Sequence, residues 1–257
     1  MKVVGDYDSM IRDSYNYSEE LQRTSPAWDV VRNLYNQNYC GVTDCDTKIP
    51  KKIHQIWLGS SLPNEYYKLT QTWKEKNPDY EYKLWTDKDV NNVHIEKRDI
   101  FNACRNQGMR SDILRYEILR KEGGIYVDTD FECLKPLDDL LYLDFFTGIS
   151  YDGELQLYIG IIGTTPNHPI IVRCAKDISR SYDGDNAPIV MDITGPYYFT
   201  RCFLKTVNRD TRGVVAFPMG FFYPWPNNMR YENNAYDYIK PYSYALHHWA
   251  VSWGRKQ

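Results

Sequence analysis

Hydrophobic and polar positions are most regularly arranged between residues 109 and 130, and this stretch predicts one helix, one turn and one strand. Residues 109–122 are strong helix formers without proline or glycine. Apolar side chains at Met109, Ile113, Leu114, Tyr116, Ile118 and Leu119 fall on nearly every side of a helical wheel, which predicts a buried helix. Gly123 and Gly124 end it, because glycine takes a left-handed C-cap without a Cβ clash. Ile125-Tyr-Val127 then reads as a short buried strand, closed by Asp128-Thr-Asp130.

The same reading extends to both sides. Ser25-Pro26 is a helix start, with serine as N-cap and proline at the first helical position. Trp28, Val31, Leu34 and Tyr35 follow on one face at helical spacing. Residues 40–47 are polar and turn-like, so a boundary is expected near Lys48. It divides a helical extension, 1–47, expected to act as a lid or membrane-proximal contact, from the main domain, 48–257.

Residues 53–58 read as a first strand ended by Gly59-Ser-Ser61, with Trp57 at its C-terminal end and His54 as a structural histidine within it. A helix over 62–76 carries Tyr66, Leu69 and Trp73 on one face; Asn77-Pro-Asp79 turns into an alternating strand over 80–85. Thr86-Asp87 caps a short helix, and another is expected over 100–107. This order predicts an α/β fold, with a mixed or parallel sheet and flanking helices. Beyond residue 130, strands are expected at 131–134, 145–149, 155–162, 214–217 and 221–223, with Asp152-Gly153 as a turn. Helices are expected at 135–141, at 170–180, and from Thr194-Gly-Pro196 to about 207. Residues 183–188 are the most loop-like in the chain.

Composition narrows the classes. With 257 residues, 42% hydrophobic and 25% charged, the chain is an ordinary globular protein able to bury a core. A net charge of −3 argues against a general nucleic-acid binder. No stretch approaches a membrane span, and Met1 to Met10 lacks the features of a secretory signal. The expected location is therefore cytoplasmic, with peripheral contact at a membrane allowed for. Cys40, Cys45, Cys104, Cys133, Cys174 and Cys202 form no Cys-x-x-Cys pair and read as mostly buried thiols in a reducing compartment. The 23 tyrosines and seven tryptophans supply stacking faces for sugars and bases as well as core.

Candidate chemistry concentrates at the strand end. Asp128 and Asp130, spaced by two on an extended backbone, are expected on one side. Two carboxylates closing a buried strand call for a cation or positive partner; a hard divalent ion would take one or two such oxygens and leave its other positions to water or phosphate. Asp112 and Arg115, three apart on a buried helix, are neighbours. They are either an ion pair or a carboxylate and a guanidinium aimed at a polar ligand. His247 and His248 cannot both face one way on a strand, so at most one reaches the acid pair.

Several motifs in order carry a resemblance: Ile49-Pro-Lys-Lys-Ile-His-Gln-Ile-Trp-Leu-Gly59, Asn77-Pro-Asp-Tyr-Glu-Tyr-Lys-Leu-Trp85, Ser111-Asp-Ile-Leu-Arg115, Gly123-Gly-Ile-Tyr-Val-Asp-Thr-Asp130, Thr194-Gly-Pro196 and His247-His-Trp-x-x-Ser-Trp253. The chain resembles glycosyltransferase family 32, with its DXD sugar-binding region, over roughly residues 48–253. That group includes fungal initiating mannosyltransferases and α-1,4-galactosyltransferases, and is remotely similar to the clostridial glucosylating toxins. The resemblance implies a GT-A fold with a mixed central sheet and a catalytic domain over 48–257. It also implies a UDP- or GDP-sugar donor, Mn²⁺ or Mg²⁺, retention of anomeric configuration, and a glycan, glycolipid or protein acceptor.

By the same resemblance, Asp130 would ligate the metal directly, and Asp128 would hold ribose or sugar and reach the metal through water. Asp112 and Arg115 would grip the donor sugar, Tyr126 would lie near sugar or ribose, and Trp57 would stack on the base. His248, rather than His247, would be a further metal ligand and tilts the choice to Mn²⁺. Trp253 would touch the diphosphate. Two departures stand out. Ile159 occupies a position where many relatives carry asparagine, a role Gln156 or Asp192 would have to take. Val251 stands where the toxins have a serine ligand. An Asp-x-Asp phosphatase is the rival reading, but such enzymes need Thr or Val where Glu132 stands here. A non-catalytic sugar-binding relative is the other.

Overall fold

The computed structural model describes residues 5–13, 25–39, 46–151, 155–181 and 190–250. The expected turn at Asp152-Gly153, the loop at 183–188, and Cys40, Cys45, Val251 and Trp253 lie outside them. The centre is a six-stranded sheet. β1 (Lys52–Ile56) lies between β2 (Glu81–Trp85) and β3 (Gly124–Val127), parallel to both. β6 (Leu155–Thr164) runs antiparallel to β3 and to β5 (Phe145–Tyr151), and β7 (Val214–Phe217) closes the far edge parallel to β5. The order β2-β1-β3-β6-β5-β7 is therefore mixed. A separate antiparallel pair joins β4 (Phe131–Cys133) to β8 (Ala245–His247).

Alternation along β5 shows how both faces are covered, since successive side chains point to opposite sides. Phe145 packs against Phe199 and Phe203 of the Pro196–Leu204 helix. Its neighbour Phe146 packs on Phe217 and Phe222. Beyond Phe217 lies Tyr35 of the Pro26–Asn38 helix, whose Trp28, Val31 and Leu34 are also buried. The Asn38 amide ties the end of this helix to β7: it donates to the carbonyls of Thr211 and Val214 at 2.9 Å and accepts from the Gly213 N–H. Ser25 precedes Pro26 as expected, yet its side chain caps nothing. Among the described residues, no helix is long and apolar enough to cross a membrane, and Cys104, Cys133, Cys174 and Cys202 are free and buried.

The helix preceding β3 runs Gln107–Glu122 and buries every residue from Asp112 to Leu119, which explains its all-round apolar pattern. Gly123 and Gly124 follow with φ of 62° and 89°. A Cβ on Gly124 would meet the Lys52 backbone oxygen at 2.8 Å, so the turn needs glycine for its space as well as for its φ.

Three expectations change. The helix placed at 100–107 is Arg98–Ala103; Gln107 already belongs to the next helix, started by Asn106, whose side chain accepts from the Gly108 and Met109 N–H groups. Residues 221–223 are not a strand but leave a 3₁₀ turn, Met219–Phe221. Asp128-Thr-Asp130 is a tight turn between β3 and β4, closed by Phe131 N–H donating to the Asp128 carbonyl at 3.2 Å. The two acids thus meet by chain reversal rather than by strand alternation.

Because the Pro26–Asn38 helix packs on the main sheet, Leu34→Ala should lower the stability of the whole domain by about 2–5 kcal/mol. Chemical denaturation reads this as one transition moved to lower denaturant. A domain transition left in place would show that the helix unfolds separately.

Candidate functional site

β1 and β3 run parallel, so their C-terminal ends lie together, where ligands of open α/β sheets bind. Trp57 leaves β1 there and Asp128 leaves β3. Between them opens a cleft of about 480 Å³, whose lining includes Trp57, Asp112, Arg115, Tyr126, Asp128 and Asp130. Its size is that of a small-molecule site.

Arg115 is the hub of one wall. It is 3% exposed and donates from Nη2 to Asp128 Oδ1 at 3.0 Å and to the Tyr126 hydroxyl at 3.1 Å; its Nη1 donates to the Ile159 carbonyl. Asp112 lies 3.3 Å from the same Nη2 and accepts from Thr194 Oγ1 at 2.8 Å. Burial pushes the Asp112 carboxyl up to about 6, against the pull of Arg115 and the Thr194 hydroxyl. Burial opposes the charge on Arg115, yet Asp128, Tyr126 and Asp112 together raise its pKa far above the usual value, so the guanidinium stays charged. Tyr126 donates to Asp128 Oδ1 at 2.6 Å with its ring under the guanidinium, 4.0 Å away. A second brace comes from β1: Tyr82 donates to Gln55, and the Gln55 amide donates to the Asp128 carbonyl.

The opposite wall comes from the last described strand. Ligand atoms of Asp128, Asp130 and His247 lie within 4.8 Å of one another. His247 Nε2 is 3.1 Å from Asp130 Oδ1, and its Nδ1 is buried without a partner. Burial alone would raise the Asp130 carboxyl; the facing His247 and the Ala250 N–H outweigh it and hold the pKa below the ordinary value. That N–H donates to Asp130 Oδ2 at 2.9 Å because Trp249, at φ 51°, turns the chain back toward the acid. A non-glycine residue in this region is strained, and such residues gather at ligand clamps.

The geometry brings His247, and not His248, to the acid pair. In the β4–β8 register Phe131 opposes His247, and the two rings stack at 4.3 Å on the acid side. His248 therefore points to the other face, where its Nε2 lies 3.2 Å from Glu132. Residue parity limited the acid pair to one histidine; the pairing register, a non-local property, decides for His247.

Two carboxylates and an imidazole whose ligand atoms lie within 4.8 Å of one another suit a divalent cation. Trp57 is half-buried at the far end of the cleft, its indole N–H on Ser60 and its ring 5.2 Å from Tyr66. Gln156 is buried with an unpaired oxygen but is not among the cleft-lining residues, and Asp192 pairs with Arg201. The sequence reading assigned no role to Thr194, Tyr158, Gly160 or Trp249. Thr194 was visible in the Thr-Gly-Pro motif; the others reach the cleft through tertiary contacts alone.

The model of the glycosyltransferase sugar-binding region containing a DXD motif matches residues 63–146. An uncharacterised glycosyltransferase of Acanthamoeba polyphaga mimivirus is 30% identical over 187 residues, 68% of this chain and 73% of that protein. A mannosyl phosphorylinositol ceramide synthase of Saccharomyces cerevisiae is 29% identical over 212 residues, 77% of this chain and 49% of the synthase, so the chain spans about half the length of that relative. Among solved structures, the UDP-bound glycosyltransferase domain of the YGT toxin shares the fold, with a TM-score of 0.50 over 67% of this chain and 80% of that domain at 11% identity. The cleft-bordering Asp128-Thr-Asp130 turn lies within the matched region, the fold is that of GT-A domains, and the chain belongs to the glycosyltransferases with a DXD sugar-binding region.

Proposed function

We propose that this protein transfers a hexose from a UDP- or GDP-sugar to a hydroxyl of a glycan, glycolipid or protein acceptor, with a divalent metal and retention of anomeric configuration. The observation that carries the reading is the convergence of Asp128, Asp130 and His247 at a cleft whose other wall holds the Asp112–Arg115 pair. A nucleotide diphosphate is an anion, and two neighbouring carboxylates repel it unless a cation joins them. When bound there, Mn²⁺ supplies Lewis-acid stabilisation of the departing diphosphate.

The chain's own residues do the rest. Asp130 and His247 would hold the cation, with Asp128 beside them, kept in place by Arg115 and Tyr126. Asp112 and Arg115 fix sugar hydroxyls by charge-assisted hydrogen bonds. Trp57 offers an aromatic face to the base. Trp253 remains the proposed diphosphate contact. Retention is supported by the state of the cleft acids: among the described residues, those lining it are Asp112, Asp128 and Asp130, and each is hydrogen-bonded through at least one oxygen. Inversion calls for a free general base on the far face of the sugar. The yeast synthase, by its name a mannosyl-transferring protein, and the toxin domain's bound UDP support a nucleotide-sugar donor.

Three outcomes are expected. Donor hydrolysis stops in excess chelator and returns with Mn²⁺, and Asp130→Asn lowers turnover roughly a hundredfold or more with an unchanged circular dichroism spectrum; full turnover in chelator would remove the metal from the mechanism. His247→Ala weakens Mn²⁺ binding about 10- to 100-fold in calorimetry, whereas His248→Ala leaves it within error; the reverse pattern would return the role to His248. Arg115→Ala raises the donor KM and also destabilises the fold by about 3–5 kcal/mol, since it strands buried carboxylates. A variant with normal kinetics and normal Tm would contradict both parts.

A further inference from the structure

The Trp57 end of the cleft holds a carboxamide with no role in the site as described so far. Gln107 is half-buried, opens the helix that carries Asp112 and Arg115, and lines the cleft together with Trp57. Its side chain lies against the turn that leaves β1. Gly59 in that turn has φ 85°, and a Cβ on it would stand 3.0 Å from Gln107 Nε2 and 3.2 Å from Cδ. Bare backbone at Gly59 thus lets the amide close on the chain two residues beyond Trp57. The turn is anchored on both sides of that contact. The Trp57 N–H donates to the Trp85 carbonyl at 2.9 Å, and the Gly59 N–H donates to Asp87 Oδ2 at 2.7 Å.

The amide has a fixed sense. Gln107 Oε1 accepts from Arg110 Nη1 at 3.4 Å, and a guanidinium carries only donors, so the oxygen is the end that faces Arg110. Arg110 is held in turn, with its guanidinium 4.7 Å over the Phe101 ring. The NH₂ is left on the Gly59 side, and among the described residues it donates to no protein acceptor. Neighbouring polar groups are engaged elsewhere: Trp57 donates its indole N–H to Ser60, and the Asn106 oxygen accepts from the Gly108 and Met109 N–H groups. To a planar ligand, this end of the cleft offers one aromatic face and amide N–H donors close by.

We propose that Gln107 is a specificity-determining residue for the donor base, its amide N–H donating to the exocyclic carbonyl oxygen of a base stacked on Trp57. The inference rests on the proposed nucleotide-sugar function and sharpens it, because the bases differ at that atom. Uracil and guanine present a carbonyl oxygen, O4 or O6; cytosine and adenine present an amino group there, so that N–H would face N–H. An amide free to turn over would accept either kind. One whose oxygen is held by Arg110 reads the carbonyl alone.

Calorimetric titrations in the presence of Mn²⁺ test this, comparing UDP with CDP and GDP with ADP on wild type, Gln107→Leu and Gln107→Glu. Metal, ribose and diphosphate are common to each pair and cancel in the ratio of affinities, which is also independent of the folded fraction of a variant. Wild type is expected to prefer the carbonyl member of the pair it binds by about tenfold or more. Which pair shows the preference identifies the base as uracil or guanine. Gln107→Leu should bring the ratio to within about twofold, by weakening the carbonyl member roughly three- to tenfold, the worth of one hydrogen bond. Gln107→Glu, with an acceptor in place of the donor, should favour the amino member. A structural role for Gln107 would weaken both members alike, so a ratio unchanged in Gln107→Leu overturns the inference, as do equal wild-type affinities within both pairs. Wild-type protein that binds none of the four with Mn²⁺ overturns the proposed function, and this inference with it.

Discussion

Everything at the cleft depends on where Arg115 puts its charge. Its guanidinium reaches the carboxylates of Asp112 on its own helix and Asp128 at the end of β3, and the Ile159 carbonyl on β6. Three separate parts of the fold are thereby tied to one planar group, whose donors are fixed in direction. Burying a cation this deeply is tolerated only because several acceptors share it, and removing any one of them leaves part of its hydrogen-bonding capacity unmet. The arrangement costs stability locally and fixes geometry.

Against that fixed wall stands one assembled from distant sequence. Trp249 takes a left-handed backbone, so that Ala250 offers its N–H to Asp130, and the chain at His248 donates to the Asp130 carbonyl. Main-chain groups thus bind Asp130 from two directions, while His247 approaches with its side chain. The result is a carboxylate held ionised inside the protein, with its remaining coordination capacity turned toward the cleft.

How much of this was legible in the sequence follows from the range of each interaction. The Gln107–Glu122 helix, the Gly-Gly turn and β3 are written locally, in propensity and in the need for positive φ, and they stand where the pattern put them. Asp112 with Arg115 was legible too, because three residues along a helix are neighbours whatever the rest of the chain does. His247 was not: parity restricts the choice to one histidine, but which one depends on how β8 registers against β4. The acid pair was found for a partly mistaken reason, since a turn brings the two carboxylates together where strand alternation was expected. Residues 221–223 read as a strand, and the 3₁₀ turn that stands there instead depends on tertiary packing.

The contact between Asp130 and His247 joins residues 117 positions apart. Closing so long a loop carries an entropic penalty that local elements do not face. The helix, the turn and β3 can therefore form while the acid pair still lacks its imidazole, and that half-built state has two carboxylates with no cation-binding counterpart. Under the proposed function, the imidazole joins the acid pair only where β8 pairs with β4. Metal uptake would then report a chain in which that pairing has formed, and any ion captured would draw the folding equilibrium toward it.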